Sequence, residues 1–374
     1  MIFLDYNAGA PLLPEAAAAL TEGLGAPGSN PSSVHQAGRA ARTRLTTARE
    51  AIARTFGCEP REVIFTGSGS EGAALAIKGA WAARKDKARA TVVTSTIEHP
   101  CVLGTMKQLE AAGANVVRLA PDATGRVPLP ELLAALTPAV ALCSLIWVNN
   151  ETGVEQHARE VSRACIAKGI VFHTDAVQAV GRIPATLRDV PADLFSFSGH
   201  KLGAPPGIGV LLARRTVPLE PMVPGHQEDG RRGGTPALAL IEALVAAVGV
   251  CTADVEGEAG RLEALRDRFE AGVAAVVNGQ GAPRAPGTSN LRFTGADGEA
   301  LLIALDLEGI CVSSGAACAS GALTPSHVLT AMGLSNTQAQ ESLRFSYGRG
   351  TTAADIERAI EAVNRLAPRA RAGL

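Results

Sequence analysis

The side chains of this chain that could do covalent chemistry stand at the ends of apolar runs. "SFSGHKLGAPPG" (196–207) sets Lys201 beside His200 in a tight bend flanked by Gly and Pro. A lysine so placed is either a solvated surface charge or an amine held in a pocket, where it serves as a nucleophile. "FHTDAVQAVG" (172–181) closes a strand-like run with Asp175, and Gln178 follows three residues on. An acid at the C-terminal end of a parallel strand sits where α/β proteins bind ligands, although an Asp there is equally a helix N-cap. His99 in "STIEHPCV" follows another such run, as do Asn149 and Asn150 in "LIWVNNETG" (145–153). A lone histidine is more often structural, and paired asparagines commonly make a turn. "GSGSEG" (67–72) follows a strand-like run and opens a helical one. The unpaired N–H groups and dipole of a helix start suit that loop, with Ser70, to a phosphate, although it also reads as a plain tight turn. Its G-x-G-x-x-G spelling also admits a dinucleotide, but Glu98 lies well beyond the roughly 20 residues at which that reading needs an acid.

The elements that must position these residues alternate. Strand-like runs are "EVIFT" (62–66), "ATVVTS" (90–95), "NVVRLA" (115–120), "VALCSLIWV" (140–148), "IVFHTD" (170–175), "DLFSFS" (193–198) and "IGVLLA" (208–213). Helical stretches such as 70–85, 101–112 and 156–168 lie between the first five. Runs apolar on both faces and separated by helices predict a mostly parallel, seven-stranded sheet covered on both sides, an α/β fold. Beyond about residue 235 the pattern changes to Ala- and Leu-rich helical segments, "PALALIEALVAAVGV" and "GRLEALRDRFEAGVAAV". The strand "NLRFT" and the helix "GEALLIALDLEG" follow. The expectation is a large domain over 15–254 and a smaller α+β domain built from 1–14 and 255–374. Ser70, His99, Asn150, Asp175 and Lys201 then share one rim of one sheet. A phosphate loop, an acid, a ring to stack on and a lysine are what pyridoxal phosphate requires: the lysine forms a Schiff base and the acid pairs with the pyridinium nitrogen.

Bulk properties narrow the class. Among 374 residues, 35 basic and 36 acidic side chains give a net charge of −1, which supplies no field for a polyanion, so no nucleic-acid partner is expected. No run of about 18 apolar residues predicts a membrane span. "MIFLDYNAGAP" does not read as a signal peptide. The seven cysteines (58, 101, 143, 165, 251, 311, 318) form no CxxC pair, which argues against a disulfide framework and a structural metal site. A cytoplasmic enzyme is expected. One cysteine stands apart: "SSGAACASG" sets Cys318 among small residues and glycines, with no strong periodicity until "SHVLTAMGL". This predicts an exposed thiol on a mobile loop, a nucleophile as its thiolate, whereas Cys311 in "GICVSS" reads as core.

Taken in order, ten blocks resemble the NifS/IscS-type cysteine desulfurases, of the class V aminotransferase group of fold-type I pyridoxal-phosphate enzymes. They are "LDYNAGAPLLPEA", "NPSSVHQAGRAAR", "VIFTGSGSEGAALAIKG", "EHPCVL", "VNNETGV", "HTDAVQAVG", "SFSGHKLGAPPGIGVL", "GHQEDGRRGGTP", "VSSGAACASGALTPSHVLTAMGL" and "LRFSYGRGTT". The likeness runs from Leu4 to about Thr352. It implies Lys201 as the Schiff-base lysine, Asp175 under the pyridine nitrogen, Gln178 at the phenolic oxygen and His99 stacked on the ring. Gly69 (through its backbone), Ser70, Ser198 and His200 would hold the phosphate. Thr235 would reach the phosphate of a neighbouring subunit, hence a homodimer. Asn150 and Arg344 would hold the substrate carboxylate. The implied reaction turns L-cysteine into L-alanine, leaves the sulfur as a persulfide on Cys318, and passes it to an acceptor such as an iron–sulfur scaffold protein. The alternatives are a selenocysteine lyase or other class V enzyme that does not use Cys318 and, from a different class, a non-catalytic cofactor-binding scaffold. "AGAP" (8–11), "SGSE" (68–71) and "PGHQED" (224–229) depart from the family's usual spelling but leave every named site residue in place.

Overall fold

The computed structural model describes residues 1–27, 30–314 and 324–371. After a two-residue strand, β1 (Ile2–Phe3), seven strands build one sheet. They are β2 (Val63–Thr66), β3 (Thr91–Ser95), β4 (Asn115–Leu119), β5 (Val140–Ile146), β6 (Val171–Asp175), β7 (Leu194–Ser198) and β8 (Gly209–Ala213). Four short strands follow: β9 (Val276–Val277), β10 (Thr288–Arg292), β11 (Ile310–Cys311) and β12 (Ser342–Ser346). The large sheet has the order β2-β8-β7-β6-β5-β3-β4. Neighbours from β4 through to β7 are parallel, and β8 runs antiparallel to both β7 and β2. The expected seven-stranded, mostly parallel sheet is therefore present.

The chain leaves β3 outward to β4 and returns on the other side of β3 as β5. That reversal opens a crevice at the C-terminal strand ends, the place where open α/β sheets bind ligands. β3, β5, β7 and β8 are buried almost throughout, as expected of strands covered on both faces. Phe56, Trp147, Phe195 and Phe197 form an aromatic cluster on one face, with Phe56 and Phe197 at 4.8 Å between centroids. On the other, Ile77, Trp81, Val92, Val102 and Met106 pack under the helices Gly69–Ala83 and Pro100–Ala111.

A separate core joins Ile2 and Leu4 to Leu262, Phe269, Phe293, Phe345 and Ile356. Its sheet has the order β12-β10-β9, and β1 pairs with β11. Among the described residues no single helix is long and apolar enough to cross a membrane.

The structure departs from the expectations in small ways. The helical reading of 260–276 stops at Gly272, after which Val273 turns extended (φ −122°, ψ 144°) and Val276 enters β9. Asp175 caps no helix; its Oδ1 accepts the Val177 N–H at 3.0 Å inside a turn. Cys311 is half-buried on β11 rather than in the core.

Candidate active site

The strand register lays out the rim. Ile146 on β5 is level with Asp175 on β6, and Asp175 is level with Ser196 on β7. Ser198 therefore ends β7 one turn of the pleat further on, and the bend that follows delivers His200 and Lys201. A cavity of about 360 Å³ lies over this rim. Its wall includes Gly69, Ser70, His99, Asn150, Asp175, Gln178, Ser198, His200, Lys201 and Arg344. Ten of the twelve expected site residues lie in that wall, and an eleventh, Cys318, lies outside the described residues. Thr235 is exposed in the loop before the helix Leu238–Ala253 and is not part of the wall.

Each group is held by a specific partner. Lys201 Nζ donates to the carbonyls of Asn7 (2.6 Å) and Ala8 (2.7 Å), which draws the N-terminal segment across the mouth. Gln178 Nε2 donates to the same Asn7 carbonyl at 3.0 Å, leaving its buried Oε1 without a partner among the described residues. Arg344, buried on β12, pairs with Asp5 at 2.7 Å and donates to the Asn150 carbonyl at 3.0 Å. Its Nε and the Asn150 Oδ1 are likewise buried and unpartnered among the described residues. Such orphaned polar atoms ask for a ligand. At the other end of the cavity, Ser68 caps the helix Gly69–Ala83 by accepting the Glu71 N–H at 3.0 Å. The N–H groups of Gly69 and Ser70 have no acceptor within the helix. Ser198 Oγ lies 2.8 Å from His200 Nδ1, adding a hydroxyl beside them. A hydroxyl-lined helix start at one end and carbonyl- and guanidinium-flanked groups at the other fit an aromatic phosphate ester carrying polar ring substituents.

Burial sets the protonation. It lowers the proton affinity of His99, with Asp175 opposing and Lys201 and His327 adding to the effect. His99 Nδ1 accepts the Cys101 N–H at 3.2 Å, so the neutral ring carries its proton on Nε2. Burial, helped by Lys201 and His99, takes His200 down to about 4. Burial raises the Asp175 carboxyl, while His99, the Val177 N–H and Lys201 pull it back.

Six wall residues were not among those expected, and two of them, Asn7 and Cys101, make side-chain polar contacts with expected ones. Asn7 supplies its carbonyl, and its Nδ2 bridges the Asn150 carbonyl (3.1 Å) and Thr288 Oγ1 (3.0 Å). Cys101 places its Sγ 3.0 Å from His99 Nδ1, and burial pushes that thiol up to about 12. Its position two residues after His99 was the available signal.

The sequence matches the Aminotransferase class-V family over residues 2–359. It is 42% identical over 379 residues to the cysteine desulfurase of Cereibacter sphaeroides, covering 99% of this chain and 97% of that protein. It is 40% identical over 369 residues to the cysteine desulfurase NifS of Azotobacter vinelandii, covering 97% and 91%. A solved NifS-like protein superposes with a TM-score of 0.91 at 29% identity, covering 98% of this chain and 99% of that one.

Proposed function

The chain belongs to the class V aminotransferase family and, within it, to the cysteine desulfurases of the NifS/IscS type; from that premise we propose which of its residues carry the reaction. Pyridoxal phosphate would be held by Lys201 as the Schiff-base lysine, with Asp175 at the pyridine nitrogen, Gln178 at the phenolic oxygen and His99 against the ring. Gly69, Ser70, Ser198 and His200 would take the phosphate. Thr235, exposed and away from the wall, would reach the phosphate of a second copy, making the working unit a homodimer. When bound, the cofactor withdraws electrons from the substrate Cα and so weakens its Cα–H and Cβ–Sγ bonds.

The chain's own groups do the rest. Arg344 and Asn150 orient L-cysteine by its carboxylate; the Arg344 Nε is a buried donor with no partner among the described residues, and Asn150 would give its amide N–H. Lys201 Nζ takes the Cα proton, and the Asn7 and Ala8 carbonyls stabilise the resulting ammonium. His99, neutral because it is buried, is suited to accept or return a proton near the substrate sulfur. The Cys318 thiolate attacks that sulfur: the new S–S bond forms as Cβ–Sγ breaks, and the protonated three-carbon product leaves as L-alanine. The sulfane sulfur on Cys318 then passes to an acceptor protein, such as an iron–sulfur scaffold, in the cytoplasm.

The observation that carries this reading is one cavity wall that gathers Lys201, Asp175, His99, the helix start at Gly69 and the unpartnered atoms of Gln178, Asn150 and Arg344. The test is L-alanine and sulfide released from L-cysteine with a thiol reductant, for the wild type and Cys318→Ala. Equal amounts of both products from the wild type and none from the variant are expected. Equal activity in the variant would hand the site to a lyase or aminotransferase that does not use Cys318.

A further inference from the structure

Glu98 lies directly under the cavity, at the crevice between β3 and β5, and the reaction above makes no use of it. Its side chain is fully buried. Both hydrogen bonds it accepts fall on one oxygen: Oε1 takes the Ser95 hydroxyl at 2.6 Å and the Ile146 N–H at 3.0 Å. Oε2 is buried with no partner among the described residues. An ionised carboxylate has two equivalent acceptor oxygens, and leaving one bare in the interior is costly; a carbonyl oxygen with two donors beside a hydroxyl is the pattern of the neutral acid.

The same contacts fix the segment ahead of His99. Ser95 belongs to β3 and Ile146 to β5, so the Glu98 carboxyl ties the two strands where the chain reverses. The Glu98 carbonyl accepts from His327 Nε2 at 3.0 Å, and the preceding Ile97 carbonyl accepts from Asn149 Nδ2 at 3.0 Å. We propose that Glu98 is a positioning residue that works as an uncharged acid: it clamps β3 to β5, fixes His99 over the cavity, and leaves Asp175 as the single negative side chain of the cavity wall.

The surroundings support this. Burial, with Asp175 across the crevice on β6, pushes the Glu98 carboxyl up to about 8 against the opposing pull of the Ser95 and Ile146 donors, and among the described residues no cation adds to that pull. Asp175 faces His99 and Lys201 instead. The other ionisable groups around Glu98 are Cys101, on the helix that His99 starts, Cys143 on β5, and His327, which meets only its backbone carbonyl. Two buried carboxyls with opposed environments divide their roles in this way. The inference deepens the reading of the site given above and rests on it for the role of His99.

The experiment is infrared spectroscopy of the cofactor-free and cofactor-loaded protein, wild type against Glu98→Gln, with steady-state kinetics of both and of Glu98→Ala. At pH 7 the wild type should show a neutral-acid carbonyl band that Glu98→Gln lacks, whether or not cofactor is present. Glu98→Ala should lower kcat about tenfold with little change in KM, through misplacement of His99, and Glu98→Gln should recover most of that loss. The wild-type kcat should fall on the alkaline side as Glu98 ionises near pH 8, and Glu98→Gln should lack that fall. A wild-type spectrum without the band, or a Gln variant as impaired as the Ala variant, overturns the proposal. If Glu98→Ala does not fold, the band and the pH profile of Glu98→Gln decide. A wild type that binds cofactor but makes no alanine would instead sink the reading of the site, leaving the band in the cofactor-free protein to be judged separately.

Discussion

Burial lowers the proton affinity of three histidines in or behind the active-site rim, His99, His173 and His200. His173 lies deepest, fully enclosed on β6, and desolvation alone takes it to about 3. Its ring is satisfied as a neutral group: Nδ1 lies 2.9 Å from Ser144 Oγ and Nε2 lies 3.0 Å from Ser196 Oγ, so one nitrogen donates and the other accepts. The folded state therefore binds fewer protons than the unfolded chain between pH 3 and the ordinary histidine value of 6.5. Stability from this residue is complete above pH 6.5 and declines as pH falls toward 3, by a few kcal/mol in all. Denaturant titrations of His173→Gln should show a flatter acid limb than the wild type; equal limbs would mean that other groups set it. At this scale the sequence was legible where residues cluster in one motif. Lys201, His200 and Ser198 share a single loop, and Asp175 ends an obvious strand. Asn7 was not legible, because its contribution is a backbone carbonyl, which any residue type supplies. It reaches Gln178 and Lys201 from a segment 171 and 194 positions away.

At the scale of elements, two backbones must nearly touch to build the helix-start end of the cavity. Gly209 opens β8 level with Thr66 on β2. A Cβ there would overlap the Ser68 backbone and come within 2.7 Å of the Gly69 nitrogen. Gly209→Ala should therefore displace the turn at 67–70 and weaken pyridoxal phosphate binding about tenfold or more, roughly 1.4 kcal/mol, in a fluorescence or absorbance titration. Unchanged affinity would show that this turn does not hold the phosphate. The seven long strands were legible because burial on both faces leaves uninterrupted apolar runs. β12 was not, since it carries Ser342, Arg344 and Ser346, all buried and all polar. Its polar side chains face partners inside the protein, Arg344 meeting Asp5 and Ser346 Oγ accepting the Asn7 N–H at 2.9 Å. The 260–276 helix ends on Gly272, which packs so closely on Ile360 that a Cβ there would sit 2.6 Å from its Cδ1.

For the molecule as a whole, we infer a division into 15–254 and 1–14 with 255–374: the N-terminal segment lends Ile2 and Leu4 to the second core, while Ala285, Val328, Leu329, Met332 and Ala339 of the smaller unit pack into the first. The proposed dimer gives a purpose to the loop before Leu238. Glu228 and Asp229 both adopt left-handed backbone (φ 52° and 54°), a costly choice for residues with a Cβ. Arg49 holds the loop by a two-pronged pair to Glu228 at 2.7 and 2.8 Å. The loop is thus shaped within one chain before any second copy arrives. Sedimentation should show a dimer, and Thr235→Ala should retain cofactor less well on dilution than the wild type. A monomer with full cofactor retention would remove Thr235 from the site. The sequence alone offered Thr235 only through likeness to relatives, because a residue that works on another copy leaves no trace in its own chain's periodicity.

The antiparallel strand β8 has a kinetic meaning as well. It is joined to β7 by the short bend 199–208, so this pair, and Lys201 with it, closes at little cost in chain entropy. Among the described residues β2 pairs in the sheet with β8 alone, and it can dock only after the chain has travelled from Thr66 to Gly209. Lys201 and the turn at 67–70 are therefore brought together by the pairing of the large sheet that spans the longest stretch of chain. A molecule that grips both would fasten the hem of the fold, adding its own binding free energy to the pairing that crosses the longest loop.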